Sequence, residues 1–207
     1  MTVARAYVIG TCDTKEPELG YLRELVEAAG IPVCLVDVST QRPKLEKNKR
    51  LKNIDVQAIE VAAHHPDGPD AVFELNERGD AIAAMKIALI YFVASRNQVG
   101  DIGGVIGAGG SGNTDLVAAA FRTLPVGMPK VLVSTVGSGN VAPYVGPTDI
   151  AMVYSVTDVA GLNKISRKVL GNAAHSLVGM LANHVPEATD RPAIALSMFG
   201  VTTPCVE

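Results

Sequence analysis

Three short stretches of small and polar residues have the composition to hold an anionic ligand. The first is Gly10-Thr11-Cys12-Asp13-Thr14-Lys15. Gly10 permits a tight turn, Thr11 and Thr14 supply hydroxyls, and Lys15 brings a positive charge to a helix start, where free N–H groups and the helix dipole favour an anion. Asp13 would oppose a bare phosphate. It reads either as the partner of Mg²⁺, directly or through water, or as a helix cap, a role Thr14 could also fill. The second stretch is Gly107-Ala108-Gly109-Gly110-Ser111-Gly112-Asn113-Thr114. Its glycines allow close backbone approach and its hydroxyls and amide offer hydrogen bonds, which together suit a phosphate cradle. The third, Ser134-Thr135-Val136-Gly137-Ser138-Gly139-Asn140, is again small, hydroxyl-rich and free of acidic side chains. Neighbouring parallel strands lie about 4.8 Å apart, so the second and third stretches could hold one triphosphate between them.

Several familiar signatures are approached and missed. Gly107, Gly109 and Gly112 satisfy G-x-G-x-x-G, but the strand that follows ends in Ser134-Thr135 instead of the acidic residue a dinucleotide site needs. Asp37 does end a strand, in a position suited to ribose hydroxyls, yet its unit begins with the single glycine of the first stretch; NAD is therefore the weaker alternative, and a helix cap is the other reading of Asp37. No Lys follows Gly112, so there is no Walker A, and Asn113 stands where a G-x-S-x-G elbow needs its last glycine. His64, His65, His175 and His184 fall in a turn-rich break or on the polar face and end of a helix, without a nucleophile to activate.

The elements that must position these stretches alternate. A strand over 6–9 ends at Gly10. A helical pattern from Pro17 carries Leu19, Leu22, Leu25, Val26 and Ala29 on one face and stops at Gly30, and a strand over 33–36 ends at Asp37. Residues 39–53 read as an exposed excursion, 56–63 as a short helix capped by Asp55, and 64–69 as a turn-rich break. Asp80 is read as the cap of a helix over 81–95, apolar on nearly every side, which is either fully buried or packs its outer face on another chain. A strand over 103–107, the glycine-rich loop over 108–114 and a helix over 115–122 come next. They are followed by a turn over 124–129, a strand over 131–133, the loop over 134–140, a strand over 150–154, a long helix over 162–182 and a strand over 193–196. This order predicts an α/β, Rossmann-like parallel sheet with helices on both faces, its loops converging on one carboxyl edge. Lys130 and Asp101 precede strands and belong to the opposite edge. Residues 1–207 read as one nucleotide-binding domain, divisible into sublobes over about 1–97 and 98–207. The stretch 199–207 resembles the start of another βα connection, which predicts a further C-terminal domain.

Composition narrows the class. Hydrophobic residues make up 48% but aromatic ones 4%, a balance that suits tightly packed βα units. A net charge of −3 provides no global basic field for nucleic acid, and the basic stretch 42–52 reads as a solvated loop. Three scattered cysteines make neither a disulfide framework nor a zinc site. The apolar run 81–94 is too short for a bilayer. A cytoplasmic location without membrane or nucleic-acid partners is expected.

Motifs distributed along nearly the whole chain resemble the N-terminal part of a bacterial and plant family best known for a tomato mosaic virus resistance protein. They include Gly10-Thr11 with Asp13-Thr14-Lys15, Gly109-Gly110-Ser111-Gly112 with Thr114, Leu124-Pro125-Val126-Gly127, Val133-Ser134-Thr135, Ser138-Gly139 and Tyr144-Val145-Gly146. Asp149-Ile150, Tyr154-Ser155-Val156, Gly161-Leu162-Asn163, Asn172-Ala173-Ala174 and Met198-Phe199-Gly200-Val201-Thr202-Thr203-Pro204 continue the series. The resemblance implies a Rossmann-like first domain that binds ATP with Mg²⁺, a homo-oligomer and a second domain. The chain departs from the family at Val136-Gly137 and over 39–53. With no acid–base pair beside the phosphate stretches, the expected role is a nucleotide-binding module that regulates or energises its C-terminal partner domain. A stand-alone kinase-like or ligase-like enzyme and a non-enzymatic interaction module are the alternatives.

Overall fold

A computed structural model describes residues 4–41, 53–183 and 185–186. The basic stretch 42–52, most of the 39–53 excursion, His184, Cys205, the strand expected over 193–196 and the stretch 199–207 lie outside the described residues.

Five parallel strands form one sheet: β1 (Arg5–Gly10), β2 (Val33–Asp37), β3 (Ile102–Gly109), β4 (Lys130–Ser134) and β5 (Ala151–Tyr154), in the order β2-β1-β3-β4-β5. Both halves of the chain share this sheet, because β1 pairs with β3 as well as with β2. Alternate strand residues serve opposite faces, as the pleat requires. Tyr7, Ile9, Cys34, Val36, Val105 and Leu132 join the core under helices α4 (Arg78–Gln98) and α5 (Ser111–Phe121). Ala6, Val8, Leu35, Ile106, Val131 and Val133 join the core under α1 (Cys12–Ala28) and α7 (Lys164–Ala182). Three short helices, α2 (Ala58–Ala62), α3 (Asp70–Phe73) and α6 (Ala142–Val145), complete the set among the described residues. None of these helices is long and apolar enough to cross a membrane.

Element boundaries differ from the sequence pattern where tertiary contacts intervene. Helix α1 begins at Cys12 instead of Pro17, with a kink at Lys15, so most of the first expected loop is a helical turn. Strand β3 runs to Gly109 and α5 starts at Ser111, leaving Gly110 as the whole connection where a loop over 108–114 was expected. Asp55 does not cap α2; Gln57 does, in a reciprocal box with Glu60, while Asp55 accepts a bond from Leu35 N at 2.8 Å. Asp80 lies inside α4, whose cap position is Glu77. That helix is not fully buried: Ala84, Met85, Ala88, Leu89, Phe92 and Val93 face the core, but Ile87 and Tyr91 are 43% and 52% exposed. Gly171 lies against Tyr21 and Leu25 of α1, so the small residues of α7 serve at least partly a contact within the chain.

Candidate functional site

In this strand order α1 leaves β1 towards one face of the sheet and α5 leaves β3 towards the other, although the two strands are neighbours. The helices diverge and open a crevice over the carboxyl ends, which is where doubly wound sheets take ligands. A cavity of about 510 Å³ occupies this switch point. Thr11, Asp13, Thr14 and Lys15 line one wall, and Gly110, Ser111, Gly112 and Asn113 the other.

The two walls are built differently. At α1 the backbone donors are already used. Cys12 N donates to Asp37 Oδ1 at 3.0 Å and Asp13 N to Ser39 Oγ at 3.1 Å, and Thr14 N and Lys15 N turn back to Thr11 O. Thr11 and Thr14 hydroxyls lie 3.1 Å from each other. Asp37 therefore caps α1. Only 3% exposed, its Oδ1 also accepts from Ser39 N and Ser39 Oγ, and it does not line the cavity. Burial pushes its carboxyl above the ordinary value, against the lowering effect of the Ser39 and Cys12 hydrogen bonds. Burial, followed by the charge of Asp37, pushes the Cys12 thiol well up, so Cys12 is a packing residue and no nucleophile. What α1 can offer a ligand is side chains: Lys15 and Asp13.

At α5 the backbone donors remain free. Gly110 occupies the cap position and supplies no side-chain bond, and the first intrahelical bond is Thr114 N to Gly110 O at 2.9 Å. The N–H groups of Ser111, Gly112 and Asn113 thus have no acceptor within the helix, and none finds a partner among the described residues. Asn113 folds back so that Nδ2 donates to Ala108 O at 3.1 Å, leaving Oδ1 buried and without a partner among the described residues.

The glycines separate by cause. A Cβ on Gly10 would meet Leu19 at 2.9 Å, on Gly109 the Asn113 side chain at 2.8 Å, and on Gly137 the Tyr154 backbone at 2.8 Å. Internal packing explains these three. On Gly112 a Cβ would meet only Ile82 at 3.4 Å, and on Gly110 only Thr135 Oγ1 at 3.9 Å, and neither residue has positive φ. Nothing among the described residues demands glycine at 110 or 112, and both line the cavity.

The third stretch sits one strand away. Ser134, Thr135, Gly137, Ser138 and Gly139 do not line the cavity. Ser134 is buried, its hydroxyl 2.6 Å from Thr114 Oγ1 and 3.2 Å from Val136 N, while Thr135 N donates to Gly109 O at 3.2 Å. These bonds tie β4 to the α5 start from beneath.

The cavity also gathers residues that sequence reasoning missed. Leu75, Asn76, Arg78 and Ile82 come from the approach to α4 and its first turns, and Asp158 from the connection after β5. Arg78 and Lys15 form no ion pair among the described residues. Asp158 was discoverable, because it follows a strand on the same edge; Arg78 carries no local signal. Among the described residues no group of three or more His, Cys, Asp and Glu could hold a metal ion.

The order 2-1-3-4-5 is that of flavodoxin-like sheets, and with its cleft at the β1/β3 switch point it defines a doubly wound α/β domain. Residues 4–186 match the N-terminal domain of the uncharacterised protein family UPF0261, and the chain belongs to this family. Similar proteins include UPF0261 proteins of Mesorhizobium japonicum and Rhizobium meliloti, 48% and 50% identical over 98% of this chain. The ToMV susceptible protein tm-1 of Solanum lycopersicum is 38% identical, also over 98% of this chain. The chain spans 48% of the length of each bacterial relative and 29% of the tomato protein.

Proposed function

We propose that this chain is an ATP-binding module that uses Mg²⁺ and regulates or energises the remaining part of a longer protein. The observation that carries the reading is the pair Gly110 and Gly112, glycines with no internal reason among the described residues at the mouth of an uncapped helix, in one switch-point cavity with two cations that form no ion pair among those residues. Polyphosphate suits this set: the N–H groups of Ser111, Gly112 and Asn113 accept close approach of anionic oxygens, and Lys15 and Arg78 offset their charge. Leu75, Ile82 and Leu116 supply an apolar wall for a base, and the orphaned Asn113 Oδ1 suits a ligand hydroxyl or amino donor. Mg²⁺ would neutralise phosphate charge and make Asp13 an attractive neighbour instead of a repulsive one. Ser134 and Thr135 support the α5 wall from the next strand, and Gly137, Ser138 and Gly139 would reach a ligand only beyond the cavity's present lining. NAD is the weaker reading because the strand after the glycine-rich turn ends in Ser134, without the carboxylate a dinucleotide ribose needs; Asp37, committed to Cys12 and Ser39, is left out as a ribose contact for either nucleotide. Calorimetric titration of ATP, ADP and NAD, with and without Mg²⁺, against wild type and His175→Ala on the exposed side of α7 tests the reading. Micromolar ATP binding, tightened by Mg²⁺ and equal in both proteins, is expected; preference for NAD overturns it.

Two further parts of the reading concern partners. The Ile87–Tyr91 face of α4 supports association of the chain with a second copy, since exposed helix faces are ordinarily polar. Light scattering at micromolar concentration should give a mass above that of the monomer, and Tyr91→Asp should lower it. The buried free thiols Cys12 and Cys34 suit the reducing cytoplasm. The relatives' greater length supports a further domain as the recipient of the nucleotide's effect.

A further inference from the structure

The starts of three helices line the cavity, and two of them are tied from behind. The α1 start is held by Asp37 and Ser39, and the α5 start by the Ser134 hydroxyl on Thr114. The third, the approach to α4, is anchored only at its ends, where Val72 of α3 is fully buried and Ala81 of α4 is 4% exposed. Residues 74–80 between these anchors are all exposed, and this run of seven is the longest among the described residues. Glu74 N donates to Asp70 O at one end, and Glu77 O accepts from Ala81 N at the other. Among the described residues no hydrogen bond or ion pair joins 75–80 to α1, α5 or the sheet. Yet Leu75 and Arg78 line the cavity, and Leu75 is 42% exposed there. Gly79 lies in the first turn of α4, where a Cβ would meet nothing within 4 Å and φ is not positive. Glycine weakens that turn without any internal need.

We propose that residues 74–80 are a strap that closes over the bound nucleotide, laying Leu75 on its apolar part and drawing Arg78 to its phosphates. This rests on the nucleotide reading above. A segment without cross-links loses little by moving, and the elements that cover ligands come from the least stable parts of a fold. Closure also needs contacts that exist only when ligand is present. Leu75 gains the cover it lacks in the open cleft, and Arg78 gains the anionic partner it lacks among the described residues. The buried Val72 and Ala81 fix where the strap begins and ends, so closure leaves the body of α4 in place.

The chain contains no tryptophan, so Leu75→Trp supplies a single reporter. Val126→Trp, on the turn before β4 at a position 81% exposed, is its control. With ATP and Mg²⁺ the Leu75→Trp emission should shift to the blue, and in rapid mixing a second phase with a rate independent of ATP concentration should follow binding. The Val126→Trp emission should stay unchanged. In wild type, hydrogen exchange of the 74–80 amides should slow at least about tenfold on binding. Calorimetry on the same proteins separates the two readings. ATP binding without the emission shift, or without slowed exchange, overturns the strap and leaves the nucleotide site standing. A shift complete in one phase that tracks ATP concentration shows a rigid wall and overturns it too. If wild type binds no ATP, the nucleotide reading fails, and the strap with it.

Discussion

The two edges of the sheet use charge in opposite ways. At the amino edge the charges of Arg5, Asp101, Lys130 and Asp149 are committed. Arg5 donates to Asp101 through Nε at 2.9 Å and through a second nitrogen at 2.6 Å, and the Tyr7 hydroxyl joins the same carboxylate at 2.6 Å. Lys130, 1% exposed, donates to Pro125 O and Met128 O and pairs with Asp149 at 2.7 Å. At the carboxyl edge Lys15 and Arg78 line a cavity without an ion pair among the described residues, and the α5 start has no side-chain cap. A buried charge must be paired to be tolerated, so the amino edge is a structural seal. Uncommitted donors at a mouth of about 510 Å³ are a resource for something else.

The comparison can be broken by exchanging the consequences of mutation between the edges. The largest effect is expected for Gly112→Val, which should reduce ATP affinity at least about 100-fold by filling the backbone approach, with stability changed by no more than about 1 kcal/mol. Parallel calorimetry and chemical denaturation would check it; full affinity in the variant would show that ligands approach elsewhere. Lys130→Met should do the reverse. It leaves two carbonyls and Asp149 without their partner, which should cost about 3 kcal/mol of stability in denaturant unfolding while the surviving fold binds ATP normally. Lys15→Ala and Arg78→Ala should each weaken ATP binding by about tenfold, an effect that fades at high salt, and leave the unfolding midpoint unmoved.

The smallest expected effect is a pair of opposite pH slopes. The Arg5 hydrogen bond holds the Asp101 carboxyl below its ordinary value of 3.8, so its stabilising contribution is present above that value and is lost as pH falls through the native pKa. Burial holds Asp37 above 3.8, so its contribution is present below the ordinary value and is lost as pH rises through the native pKa. In acid, the stability gap between wild type and Asp101→Asn should therefore narrow as pH falls, and the gap between wild type and Asp37→Asn should widen. Thermal unfolding between about pH 3 and 6 checks both signs.

Much of this was legible from residue order. Short continuous apolar runs located all five described strands to within a residue or two, and the helical spacing of Leu162, Ile165, Val169, Ala173, Leu177 and Met180 marked α7, whose cap Asn163 accepts from Ile165 N and Ser166 N. Alternation of strand and helix was enough for a parallel α/β sheet with helices on both faces, because short parallel strands need crossover helices to bury them. Glycines crowded at a strand end were enough to point to the α5 start. Strand order was not legible, since the same alternation serves several orders, and only long-range pairing brings β3 beside β1. That pairing decides where the helices diverge and hence which stretches meet. It joins the first and second and leaves Ser134–Gly139 one strand away. A helix cap was one reading of Asp37, but which helix it serves was not legible, because Asp37 and Ser39 reach Cys12 and Asp13 across a whole βαβ unit. Arg78 and Asp158 enter the cavity from distant elements for the same reason: local periodicity records which face of an element is apolar, whereas a cleft is a property of how several elements are placed together.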